Sequence, residues 1–164
     1  MSENASQKTG RIVVGVDGSP SANAALRWAV RHAELTGDAV EAVIVWQYPI
    51  IGASYGWAGV AVTDGTDLQA LAEKTLTQAI DEAVGRGSAG HDTAGRGSAV
   101  HVTPRVIEGY PATVLVEESA GADLLVVGSR GHGTFADALL GSVSQHCSHH
   151  ARCPVVIVRG LHGR

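Results

Sequence analysis

Lysine is almost missing from this chain of 164 residues: Lys8 and Lys74 stand against ten arginines, and none follows position 74. That gap removes a common phosphate-binding device, because the pattern G-x-x-x-x-G-K-[ST] needs a lysine after its glycines. No apolar run approaches the roughly 18–20 residues that span a bilayer. Residues 1–10 carry no apolar stretch of secretory type, and a membrane partner is not expected. Cysteine is confined to Cys147 and Cys153, too few for a disulfide framework, so a reducing, cytoplasmic setting is expected. Excess positive charge is lacking too, since the net charge is −4 and the pI about 6.0. A nucleic-acid binder would leave a basic footprint, so that partner class is set aside. Ser119, Asp123 and the histidines form no hydrolase triad, because no G-x-S-x-G elbow is present. The first apolar run leads into Gly15-Val16-Asp17-Gly18 and not G-x-G-x-x-G, which argues against a dinucleotide oxidoreductase.

What is present alternates. Runs rich in Val, Ile and Leu occur at 12–16, 39–46, 99–107, 123–127 and 154–158. The first, fourth and fifth are almost continuously apolar, as strands buried on both faces of a parallel sheet are. The second and third are more mixed, and Pro104 favours an edge or strand end for the third. Between the runs lie helical patterns. Ser19-Pro20 predicts an N-cap and first turn, with Ala25, Trp28, Ala29 and His32 on one face and Gly37 at the close. A second pattern runs from Leu68 to Ala83 and ends near Gly85, a third opens at Pro111, and a fourth starts at Ser142. Strands alternating with helices predict right-handed βαβ units and a doubly wound α/β sheet. Residues 47–66, with four glycines and three aromatics, read as a flap over one end of that sheet. The repeat Gly85-Arg86-Gly87-Ser88-Ala89 and Gly95-Arg96-Gly97-Ser98-Ala99 reads as a flexible insertion over 85–98.

The most informative stretch runs from Asp123 to Gln145. A buried run ends at Gly128, glycines follow at 131 and 133, and Gly141-Ser142 opens the last helix. Glycine lets backbone amides approach a ligand closely, and consecutive amides make an anion nest. The first amides of the last helix, at Ser142 and Val143, add the positive end of the helix dipole. Phe135, Leu139 and Leu140 are expected to anchor the excursion between the two sets of donors. Arg130 is the one cation within the loop, and no carboxylate base is evident beside it, so rapid phosphoryl transfer is not expected. With strand order 3-2-1-4-5 the loop Gly15–Ser19 faces this glycine loop at a topological switch point. There Asp17 can accept hydrogen bonds from the adenosine part of a nucleotide.

Gly128-x2-Gly131-x9-Gly141-Ser142 resembles the G-2x-G-9x-G-[S/T] motif of the ATP-binding branch of the universal stress protein family. The opening IVVGVDGSPSANAALRWA and the closing GSVSQHCSHHARCPVVIV resemble the two ends of that family as well. The resemblance implies a five-stranded parallel sheet of order 3-2-1-4-5, Rossmann-like and similar to the adenine-nucleotide hydrolases, in one domain over 11–159. Short tails at 1–10 and 160–164 flank it. It implies ATP or ADP as ligand, with Mg2+. Asp17 and the backbone near Val45 would meet the adenosine, and Gly128, Arg130, Gly131, Gly133, Gly141, Ser142 and Val143 would hold ribose and phosphates. Gly15, Ser129 and His132, lying within the same two loops, complete the candidate set. A homodimer through the last strand, Val155, Val156, Ile157 and Val158, is implied too, and an apolar edge left uncovered is a liability.

The expected role is a nucleotide-dependent regulator with at most slow hydrolysis. The alternative is a slow ATPase or nucleotidyl-transfer enzyme using the same crevice. His146 and His150 share one helical face at a spacing that can hold zinc, but a structural site wants four converging ligands, and Cys147 and His149 point elsewhere. No metal site is therefore expected there. Ser142-x-x-Gln145 also fits a capping box.

Overall fold

The computed structural model describes residues 9–48, 65–88, 100–132 and 139–160. Five strands alternate with four helices: β1 (Arg11–Val16), α1 (Pro20–Thr36), β2 (Ala39–Trp46), α2 (Gly65–Ser88), β3 (Val102–Glu108), α3 (Pro111–Glu118), β4 (Leu124–Gly128), α4 (Ser142–His150) and β5 (Val155–Val158). Every pairing is parallel and the order is 3-2-1-4-5, as expected. The central strands β1 and β4 are buried on both faces, which is why Ile12–Val14 and Leu125–Val127 are unbroken apolar runs. Pro104 lies on the edge strand β3, where its missing N–H deprives no second neighbour.

Helices α1 and α2 cover one face of the sheet, and α3 and α4 the other. Local chemistry explains where α1 begins and ends. The Ser19 hydroxyl accepts the Ala22 N–H at 3.3 Å, Pro20 occupies the first turn, and Gly37 turns the chain at φ 81° while its N–H bonds Ala33 O. The buried stripe of α1 is Ala22, Ala25, Leu26, Ala29, Val30 and Ala33. Trp28 and His32, expected on the inner face, flank this stripe half-buried, their rings stacked 4.9 Å apart. The wide seat of α1 on β1 and β4 shifts the stripe by one residue.

Several expectations need correction. Helix α2 begins at Gly65, so the last two residues of the expected flap are helical. It also continues through Ser88, beyond Gly85. A glycine inside a helix costs about 1 kcal/mol relative to alanine and does not by itself end it. Residues 49–64 of the flap, 89–98 of the insertion and the outer parts of both tails lie outside the described residues. Gly10 of the expected tail is already tied in: its N–H bonds Asp38 Oδ1 at 2.9 Å and its carbonyl accepts Ala39 N–H. Among the described residues no helix is long and apolar enough to cross a membrane.

A charge cluster went unforeseen. Arg11 on β1 grips Glu41 on β2 through two bonds of 3.0 and 2.9 Å and also reaches Glu118 at the end of α3. Arg105 on β3 bonds the same two carboxylates. The hydrogen bond from Arg11 holds the Glu41 carboxyl below its ordinary range, and that bond raises the Arg11 guanidinium in turn.

Candidate functional site

Because β1 and β4 are adjacent and parallel, their carboxyl ends deliver the loops after Val16 and Gly128 to one edge of the sheet. The order reverses between these strands, and a crevice opens at such a point. Arg130 is sewn to the start of α1. Its carbonyl accepts the hydroxyls of Ser21 and, at 3.3 Å, Ser19, while its N–H points at Ser21 Oγ. His132 Nε2 lies 2.6 Å from the Asp17 carbonyl and ties the glycine loop to the loop after β1.

Asp17 Oδ1 accepts the Ser19 N–H at 2.8 Å. Its other oxygen, Oδ2, would be 2.6 Å from a Cβ placed on Gly131, so the carboxylate lies against the glycine loop. One oxygen thus serves the turn and one faces the crevice. The excursion returns to the same place: Gly141 donates to Ser129 O at 2.7 Å, and a Cβ on Gly141 would be 3.6 Å from Gly131 N. Ser144, buried in the first turn of α4, locks this return by donating to the same Ser129 carbonyl.

The glycines and amides divide into two groups. A Cβ on Gly128 would stand 2.5 Å from Ser21 Oγ and 2.7 Å from Ala22 N, so this glycine admits α1 against β4. Gly15 likewise faces Leu115, whose Cδ1 would be 2.8 Å from an added Cβ. Both positions serve helix packing directly. Ser129 N–H is committed to Val158 O, and Gly141 N–H to Ser129 O. The nest expected from the sequence is therefore narrower. Among the described residues it would draw on the Gly131 N–H and the first amides of α4, at Ser142 and Val143, which have no intrahelical acceptor. The Arg130 guanidinium makes no hydrogen bond or ion pair among the described residues.

Other expected residues fall as follows. Val45 is half-buried at the end of β2, opposite Ile107. Gly133 and Phe135 lie outside the described residues. Leu139 is 69% exposed and Leu140 half-buried, and the backbone bond from Gly141 fastens the return. The capping box is not formed either. Gly141 is the N-cap of α4, with no side-chain cap bond, which leaves the Ser142 hydroxyl out of the helix cap. Spacing alone did not single out Ser21 or Ser144, although small hydroxyl residues just inside two helix starts were the available signal. Cys147 is buried against the sheet, where burial pushes its thiol up to about 11.

The sequence profile of the Universal stress protein family matches residues 8–159. A universal stress protein of Mycobacterium bovis is 34% identical over 157 residues, covering 90% of this chain and 47% of its own length. This chain thus spans about half the length of that relative. Universal stress protein UspA from Lactobacillus plantarum shares the fold, with TM-score 0.63 and 24% identity over 92% of this chain and 97% of its own. A universal stress protein solved in complex with cAMP gives TM-score 0.62 and 26% identity, covering 93% of this chain and 98% of its own. On fold, sequence and match length together, the chain belongs to the universal stress protein family.

Proposed function

We propose that the chain binds ATP or ADP in the crevice between the loops after β1 and β4, and acts as a nucleotide-dependent regulator in the stress response. The observation that carries this reading is the meeting of Gly131 with Gly141 beside the Asp17 carboxylate, at the mouth of α4. Small residues there leave room for phosphates against the amides of Gly131, Ser142 and Val143, and Arg130 adds charge. Asp17 Oδ2 and the backbone near Val45 take the adenosine. The family member bound to cAMP supports an adenine nucleotide as the ligand class. Asp17 is the carboxylate in contact with the glycine loop. Mg2+ would accordingly be carried chiefly by phosphate oxygens and water, as this ion is in many nucleotide sites.

Catalytic power is not part of the proposal. Among the described residues the site brings no lysine to the phosphates, so binding is served better than turnover. The two cysteines are free, in keeping with a reducing cytoplasm. We also assign the homodimer contact to β5, an edge strand whose four residues are all partly exposed.

The test is Gly141→Asp. A Cβ there meets nothing nearer than Arg130 Cα at 3.4 Å, so the variant is expected to fold. Its carboxylate, set beside the phosphates, is expected to weaken ATP binding by about a hundredfold or more, or roughly 3 kcal/mol. Undiminished affinity in a folded Gly141→Asp protein rejects the cradle. Phosphate release over many turnovers by the wild type would favour the slow-enzyme alternative.

A further inference from the structure

We propose that His146 and His150 form a two-ring chelate for a first-row transition-metal ion, Ni(II) or Cu(II), on the exposed face of α4. The residues stand four apart, which places their side chains one above the other on a helix. Their ring centroids lie 4.5 Å apart with planes tilted by 39°. An imidazole nitrogen sits about 2.0–2.1 Å from a bound metal and the ring centre about 1.1 Å further back, so centroids at that spacing would subtend about 90° at an ion that one nitrogen of each ring faces. That is the cis angle of tetragonal or octahedral coordination, which suits Ni(II) and Cu(II) better than the tetrahedral preference of Zn(II).

The surroundings agree. Both rings are exposed, and a recess of about 300 Å³ lined by Ser142, Gln145, His146, His149 and His150 leaves room for water ligands. His149 and His150 occupy the last turn of α4, where the partial negative charge of the helix end favours a cation over an anion. Among the described residues no three His, Cys, Asp or Glu side chains converge as a metal set. The chelate accordingly rests on two protein ligands, with water completing the shell. His149, its ring 6.3 Å from that of His150, and the buried Cys147 are not members.

The experiment is calorimetric titration of the full chain with Ni(II), repeated on His146→Gln, His150→Gln and His149→Gln. Glutamine keeps a good helix former at these exposed positions. The chain has eight histidines, and weak sites elsewhere are common to all four proteins, so the comparison isolates α4. Loss of a direct ligand is expected to matter at least as much as loss of an outer-shell partner, which costs about 10–100-fold. His146→Gln and His150→Gln should each weaken the tightest Ni(II) site at least that far, while His149→Gln leaves it within a few-fold. Ni(II) should also raise the melting temperature of the wild type and His149→Gln, but not of the other two, because the ion ties one helical turn to the next. Equal affinity in the wild type and His146→Gln, or an equal loss in His149→Gln, overturns the chelate. Neither ring belongs to the nucleotide cradle, so this result stands apart from the ATP reading.

Discussion

Gly128 and Gly141 belong to one spacing pattern yet do different physical work. Gly128 lets the first turn of α1 press against β4: an added methyl would meet Ser21 Oγ, Ala22 N and Ser21 C within 2.7 Å. Backbone cannot yield as a flexible side chain can, so Gly128→Ala is expected to cost about 1–3 kcal/mol with or without nucleotide. Chemical denaturation of the nucleotide-free protein measures it; unchanged stability would refute the packing role. Gly141 has more space around it, with no atom nearer than 3.4 Å to an added methyl. The glycine pattern itself was legible in sequence, as was Asp17. Which glycine admits a helix was not, because that depends on how closely α1 approaches β4. The same limit applied to the amides of Ser129 and Gly141, which the fold had already used on Val158 and Ser129 carbonyls.

The elements were legible wherever chemistry is local. Ser19-Pro20 and Gly37 bound α1 as written, and five apolar runs became five strands. Boundaries were harder: α2 carries on past Gly85, and Leu139 is left exposed. The Arg11–Glu41–Glu118–Arg105 cluster joins residues up to 107 positions apart, so no window of sequence could reveal it. It predicts a pH dependence. Glu41 titrates below its unfolded value, so its contribution is complete above about pH 4.3 and is lost as pH falls through the lower folded value. Glu41→Gln is expected to cost about 1 kcal/mol at neutral pH, a modest sum for partly exposed pairs. The gap between wild type and variant should narrow as pH falls below about 4.3. A gap that stays unchanged down to the acid limit of folding would show that the carboxylate charge is not what matters.

The whole molecule brings the loops after β1 and β4 together at the order reversal of a five-stranded sheet, where α1 and α4 both start. An edge strand, β5, leaves the same molecule a surface suited to a second copy. Relatives such as the M. bovis protein are about twice as long as this chain. All of this depends on the crevice holding a nucleotide. Calorimetric titration of nucleotide-stripped protein with Mg-ATP decides it, read alongside phosphate release over hours. Binding with a Kd on the order of micromolar, or about −8 kcal/mol, with negligible release is the expected outcome. A folded, stripped protein that takes up no ATP would contradict the account and leave the glycine loop without a ligand.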